Sequence, residues 1–372
     1  MADQPDNEVL EEDGVEIESG DDNLIKRPFD PEKIKVQSSS LLVAQLVNRM
    51  SHGEIMTPTF QRRAGIWNVQ RKSRLIESLL LRIPIPVFYF AADDDENWSV
   101  VDGLQRSTTI RDFVANDFAL RGLEYLDKFE NKFHRELPRP MQRRIDETPL
   151  VVNVIQPGTP DEVTFNIFSR INTGGMTLRG QEIRHALHNG PVLEFLREMA
   201  ESKEFLVATS ASVSPQRMAD RECVLRFVAF HLRAWSTYST GDDLDRWLGD
   251  AMRAVNDMSE EGRRNLRTSF NHAMAVAARI FGEYAFRKRY GVDDERRRPV
   301  NKALFEAWSV GLANRSIEEH KKLMNRRKMV AEQFFGLMCS DDFEGAVSTA
   351  TGTASKVHLR FGAVADLIED CL

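Results

Sequence analysis

The sequence predicts an α+β protein, a mixed α/β domain followed by an all-α domain. Two observations carry this reading. Short β-branched or aromatic runs at Val87–Phe90, Trp98–Val101 and Leu150–Ile155 alternate with helical patterns up to about residue 190. From Pro191 onward the apolar spacing is helical throughout, as in Val192–Met199, Met218–Trp235, Leu266–Tyr290 and Val357–Leu367. The chain therefore divides into an acidic disordered arm at 1–36, a mixed domain at 37–190 and a helical domain at 191–372. The linker between the two domains is expected within 190–215, where Ser, Thr and Ala gather at Val207–Pro215.

The elements follow in order. Ser38-Ser39-Ser40 offers N-caps for a helix through Leu42, Leu46 and Met50 that ends at Gly53. Asn68 caps a second helix, whose Leu75, Ile76, Leu79 and Leu80 share a face and which Pro84 and Pro86 stop. Val87–Phe90 and Trp98–Val101 are two strands joined by the polar turn at Asp93–Asn97. The second strand runs directly into Asp102-Gly103, after which Ile110, Phe113 and Val114 mark a third helix. Leu150–Ile155 reads as a buried strand, and Thr159-Pro160-Asp161-Glu162 as the start of a helix that ends near Asn172–Gly175.

Charge and cysteine usage exclude several classes. The net charge is −7, yet residues 1–24 hold ten acids and no base, and removing those ten leaves +3 for the rest. The arm has little to bury and reads as solvated, either a solubilising tail or a mimic of a nucleic-acid backbone. Cys223, Cys339 and Cys371 stand far apart, which argues against a disulfide framework or a zinc ribbon and for a reducing compartment. The acidic start has no apolar core of a signal peptide, and no apolar run approaches the ~18 residues of a membrane span. The expectation is a cytoplasmic protein with no membrane partner.

The chemistry concentrates at Asp102-Gly103-Leu104-Gln105-Arg106-Ser107-Thr108. A helix that starts directly after a strand presents unpaired N–H groups and the positive end of its dipole, a ready anion site. Gly103 lets the backbone approach a ligand, Arg106 can add a bidentate phosphate contact, and Ser107 and Thr108 add hydroxyls. Asp102 is positioned to hold magnesium or a sugar hydroxyl. The plainer alternative is that Asp102 caps the helix, Gly103 makes the turn and Arg106 pairs with an acid.

Four blocks raise the first reading. They are Pro58, Phe60-Gln61-Arg62 and Trp67; Leu75–Leu80 with Ile83–Pro86; Val101–Ile110; and Phe168–Gly175 with Leu178 and Glu182–Arg184. In that order they resemble the DGQQR-motif, ParB/sulfiredoxin-like N-terminal domain of GmrSD-type DNA-defence proteins. The resemblance implies a site for a nucleoside triphosphate, ATP or GTP with magnesium, in a bacterial defence system against foreign DNA. It implies catalytic roles for Asp102, Gln105 and Arg106, with Asp102 on the metal. Nucleotide contacts would come from Gln61, Arg62, Gly103, Arg106, Ser107 and Thr108, and from a second wall at Arg170, Asn172, Thr173 and Gly174.

Three departures qualify what is implied. Leu104 stands where the family has the first Gln of the motif, which removes an amide. Ser107 replaces a Leu. The HNH nuclease of many relatives is not recognisable: the eight histidines include no adjacent pair, and His185 and His188, spaced i,i+3, lack an evident third ligand. Glu130-Asn131-Lys132 carries only the E-x-K end of a nuclease motif. The basic clusters Arg287-Lys288-Arg289 and Arg296-Arg297-Arg298 are the candidates for DNA contact, with further bases at Lys321-Lys322 and Arg326-Arg327-Lys328. Two function classes result. One is an NTP-hydrolysing switch that couples nucleotide state to DNA or a partner; the other is a non-catalytic DNA-binding adaptor that recruits a separate nuclease. A defence-system subunit or a second copy of the chain is the further partner expected.

Overall fold

The computed structural model describes residues 11–16, 34–56, 67–93, 95–171 and 179–372. Two compact units emerge: Phe29–Leu187, and His188–Leu372 together with Met1–Pro28. The first described segment is a short hairpin of β1 (Glu11–Glu12) and β2 (Val15–Glu16), turned through Asp13 and Gly14, both at positive φ.

The mixed unit is a five-stranded sheet between helices. Its strands are β3 (Val36–Leu42), β4 (Ile55–Met56), β5 (Phe88–Ala92), β6 (Trp98–Asp102) and β7 (Pro149–Ile155), in the order β3-β7-β5-β6-β4. β5 runs parallel to β7 and antiparallel to β6, with which it forms the predicted hairpin. The Asp93 carboxylate shapes that turn by accepting the N–H groups of Asp95 and Asn97. The helices are α1 (Val43–Ser51), α2 (Val69–Leu81), α3 (Leu104–Val114), α4 (Arg139–Asp146), α5 (Asp161–Ile171) and α6 (Gly180–Leu187). Successive strand residues point to opposite faces. Phe88, Phe90, Val100 and Val152 thus pack with Leu46, Ile76, Ile110 and Phe113. Val101 and Ile155 pack on the other side with Phe165, Phe168 and Ile183.

The start of this unit differs from the sequence reading. Ser38, Ser39 and Ser40 are not helix caps; they pair with Asn153, Val152 and Val151 in β3. The helix begins only at Val43. A strand whose partner lies more than a hundred residues away leaves no local trace, and its side chains are mostly exposed at the sheet edge. α2 is as predicted, with the Asn68 Oδ1 accepting from Arg71 N–H at 2.9 Å.

The other unit is helical: α7 (Pro191–Ala200), α8 (Lys203–Ala208), α9 (Ala219–Leu232), α10 (Leu244–Asp257), α11 (Glu260–Phe281), α12 (Lys302–Ala313), α13 (Ile317–Asn325), α14 (Arg327–Met338), α15 (Asp341–Ser348) and α16 (Ala354–Asp370). Its centre holds a charge cluster. Glu306 of α12 and Arg360 of α16 are both fully buried and bonded to each other, and Arg226 of α9 reaches Glu306 at 3.4 Å. Arg360 also donates to the Thr351 carbonyl at 2.7 Å.

Two expectations about this unit are corrected. The acidic arm is not one solvated tail through residue 36. Val15 is buried in the helical core and bridges Val300, while Glu16 accepts from Lys288 Nζ at 2.6 Å and from Asn301 Nδ2 at 2.9 Å. Nor is Val207–Pro215 a free linker. Ala208 and Thr209 are buried, Arg287 donates to the Thr209 carbonyl and the Ser212 hydroxyl, and Ser214 N–H donates to the Asp13 carbonyl.

Candidate functional site

β6 ends at Asp102 and α3 begins at Leu104, with Gly103 alone between them. Gly103 has φ +105°, a left-handed conformation that L side chains rarely adopt. A Cβ there would lie 2.5 Å from Phe88 Cδ1, so only glycine fits between the strand and the Phe88 ring. Gly103 offers α3 no side-chain cap. The first intrahelical bond runs from Ser107 N–H to the Gly103 carbonyl at 2.8 Å. The N–H groups of Leu104, Gln105 and Arg106 precede it and face outward along the helix axis, where the dipole favours negative charge.

Arg106 is the surprise. Its guanidinium is buried rather than aimed at a ligand. Nη1 donates to the Pro86 carbonyl; Nη2 donates to the Val87 carbonyl at 3.1 Å and to Asp102 Oδ2 at 2.7 Å. The group also lies over the Phe88 ring, 4.5 Å from its centroid. Burial pulls the guanidinium below its ordinary pKa, and Asp102 offsets this. Arg106 therefore ties the proline-interrupted segment before β5 to the strand–helix junction. The i,i+4 spacing of Asp102 and Arg106 was the signal in the sequence for this pair.

The remaining predicted residues divide. Ser107 is fully buried and donates to the Leu104 carbonyl at 3.0 Å, and the Thr108 hydroxyl donates to the same carbonyl at 2.8 Å. Both hydroxyls are satisfied within their own helix, which removes them from the phosphate donors. Gln105 Oε1 accepts from Trp67 N–H at 3.3 Å, leaving its amide NH₂ to donate. Asp102 keeps about a third of its side chain exposed. A magnesium ion would have one protein carboxylate there. Among the described residues no group of three or more His, Cys, Asp or Glu is placed to hold a metal. That fits magnesium carried in with phosphates and water, and does not fit an all-protein cage. Arg170 is exposed at the end of α5. Gln61, Arg62, Asn172, Thr173 and Gly174 lie outside the described residues.

Sequence reasoning missed Glu77. It is buried on α2, and its carboxylate accepts the N–H groups of Glu124, Tyr125 and Leu126 at 2.8–3.0 Å. Burial pushes its pKa up, and the three backbone bonds with Arg74 overcome this and leave it below the ordinary glutamate range. Its position was legible as an acid on the apolar face, four residues from buried Ser73 and three from Leu80. Glu130, read as the end of a nuclease motif, is structural in the same way and accepts from Gly122 and Leu123 N–H.

The basic clusters of the helical unit divide between interior and surface, with Lys321, Lys322, Arg326, Arg327 and Lys328 all exposed. Arg287 and Lys288 are buried, which overturns their assignment to DNA. Arg287 donates to the Glu283, Arg298 and Thr209 carbonyls, and Lys288 to Glu16, Glu344 and Ser348. Arg298 is held by Asp294 at 2.6 Å and lies 4.9 Å from the Tyr290 ring centroid. Arg296 and Arg297 are exposed. No helix among the described residues is long and apolar enough to cross a membrane.

No curated protein matches the chain. A family model described as "GmrSD restriction endonuclease, N-terminal domain" matches residues 43–189. The match covers α1 through α6 and the strand–glycine–helix junction at its centre. Residues 43–189 thus match the GmrSD N-terminal domain family, a match that points to a restriction or defence system.

Proposed function

We propose that the chain is a nucleotide-binding component of a bacterial defence system against foreign DNA, with nucleotide state coupled to DNA or partner binding. The observation that carries this reading is the uncapped N-terminus of α3 directly after Gly103, inside a domain matched to the GmrSD family. The N–H groups of Leu104, Gln105 and Arg106 would bind a phosphate, and the Gln105 amide would donate beside them. Asp102, held by Arg106, would bind magnesium delivered with ATP or GTP, and that ion would neutralise phosphate charge. Arg106 acts here as a positioning residue for Asp102, since three of its five N–H donors are committed to the Pro86 and Val87 carbonyls and to Asp102 itself.

A second reading, a non-catalytic adaptor that recruits a separate nuclease, is favoured by the same geometry. With the guanidinium turned inward and Leu104 in place of an amide, fewer groups are available to stabilise a leaving phosphate or orient water. Calorimetric titration with ATP and GTP in magnesium, followed by phosphate release with and without DNA, separates the two. Binding with turnover supports the switch. Binding without turnover supports the adaptor with a nucleotide ligand. No binding at millimolar nucleotide, with or without DNA, removes the nucleotide site.

A further inference from the structure

The helical unit has a cavity of about 900 Å³ where the end of α11 meets the junction of α13 and α14. Its lining includes Arg279, Arg289, Arg327 and Tyr284, against a single acid, Glu283. Phe281 gives it a rigid floor, with its ring edge-on to Trp308 at 4.7 Å and packed on Phe334 at 5.7 Å. Arg289 is fixed in place: it donates to the Asp294 carbonyl at 3.0 Å and the Val292 carbonyl at 2.8 Å, and lies 4.1 Å from the Tyr284 ring centroid. Two of its five N–H donors are used in this way. Arg279 and Arg327 differ from Arg287, Lys288 and Arg298, whose charged groups are met by acceptors of the fold. Both are exposed, and no ion pair joins either to an acid among the described residues. The helix ends leave the balance to these side chains. α11 brings its negative end to the cavity, while α14 begins there behind Arg326, which provides no side-chain cap. The two dipole ends roughly offset each other, so the excess of guanidinium groups sets the sign.

We propose that this cavity binds the phosphate ester of a nucleotide unit, with Arg279 and Arg327 as the mobile grips and Arg289 on Tyr284 as the preset wall. Guanidinium forks match phosphate oxygens, and a planar Arg–Tyr pair gives a base a flat surface to stack on. A cavity of this volume is in the range of small-ligand sites, large enough for one or two nucleotides. The phosphate is carried either by a DNA strand or by a free nucleotide. In the first case the site locates the DNA contact of the function proposed above, and it rests on that reading. Arg287 and Lys288 cannot serve in that role because they are spent inside the fold.

The test uses the full chain. Fluorescence anisotropy with labelled duplex and single-stranded oligonucleotides, over a series of salt concentrations, is run beside calorimetry with ATP. The double variant Arg279→Gln/Arg327→Gln should keep the wild-type thermal midpoint, since both side chains are exposed. It should lose at least about tenfold in affinity for one probe. If that probe is the oligonucleotide, the salt slope should fall by about 2. Loss confined to the oligonucleotide assigns the site to a strand; loss confined to ATP assigns it to a free nucleotide. Unchanged affinity for both probes, or no binding of either by the wild type, overturns the proposal. So does an oligonucleotide affinity that follows Asp102→Ala and ignores the two arginines. Arginine-dependent oligonucleotide binding without any ATP binding would remove the nucleotide switch and leave this site standing.

Discussion

Arg106 shows how one side chain can carry a motif's signature and yet serve the fold. Its three acceptors are the Pro86 and Val87 carbonyls and the Asp102 carboxylate. Truncation leaves them buried or half-buried without a donor. Arg106→Ala is therefore expected to cost about 3 kcal/mol of stability, in contrast to the silent substitution expected of a ligand-facing arginine. Urea denaturation checks this, and a midpoint within error of the wild type would contradict the inward geometry. Glu77 gives the matching case for an acid. Because its folded pKa is lowered, its contribution is fully present above the unfolded value of about 4.3 and is lost as pH falls through the folded value. Glu77→Gln should cost about 1–3 kcal/mol at neutral pH, since an amide NH₂ then faces backbone donors. It should also flatten the decline of stability below about pH 4.3. Chemical denaturation at pH 7 and at pH 4 measures both effects; a variant with the wild-type acid slope would show that the carboxylate is not the titrating group.

At the scale of the element, the strand–glycine–helix junction depends on one backbone conformation. Gly103→Ala places a Cβ against Phe88 at a φ that alanine rarely adopts. A loss of roughly 2–3 kcal/mol is expected, together with a shift of the α3 N-terminus away from β5. Phe88→Leu in the same chain should recover part of the packing loss and none of the dihedral cost. A double-mutant cycle separates the two terms, and full recovery would assign the whole effect to the ring contact. Most of the elements here were readable because they are locally encoded: the Asn68 cap, the Asp93 turn, and the apolar stripe of α2. β3 was not, since three serines read as well as helix caps as they do as an edge strand. Their pairing with β7 decides the matter.

Across the whole molecule, the helical unit is assembled from two stretches of sequence that are far apart. The hairpin at residues 11–16 supplies Val15 to its core and Glu16 to Lys288 and Asn301. Deletion of residues 1–16 should lower the thermal midpoint by roughly 5 °C or more relative to deletion of 1–10, as a buried ammonium and amide lose a partner. Equal midpoints for the two truncations would show that the hairpin adds nothing. Glu306→Gln tests the centre of the same unit. Removing the carboxylate charge between two buried arginines is expected to cost about 3–5 kcal/mol, read by denaturant titration.

The sequence by itself determined the two-part architecture, the strand–turn–helix at Asp102–Thr108 and the family to which that junction points. Each of these is carried by short-range spacing: apolar period, turn residues, and motifs a few positions long. Tertiary structure alone decided where the charges go. Arg106, Arg287 and Lys288 read as surface bases in the sequence. They are buried because Pro86, Val87, Thr209 and Glu16 bring acceptors from distant parts of the chain. Arg279 and Arg327 looked no different in composition, yet they remain exposed at a cavity. Apart from local i,i+4 pairs such as Asp102 with Arg106, an arginine's partner is set by three-dimensional proximity and by the cost of leaving a buried donor or acceptor unpaired, and neither is written in its neighbours along the chain.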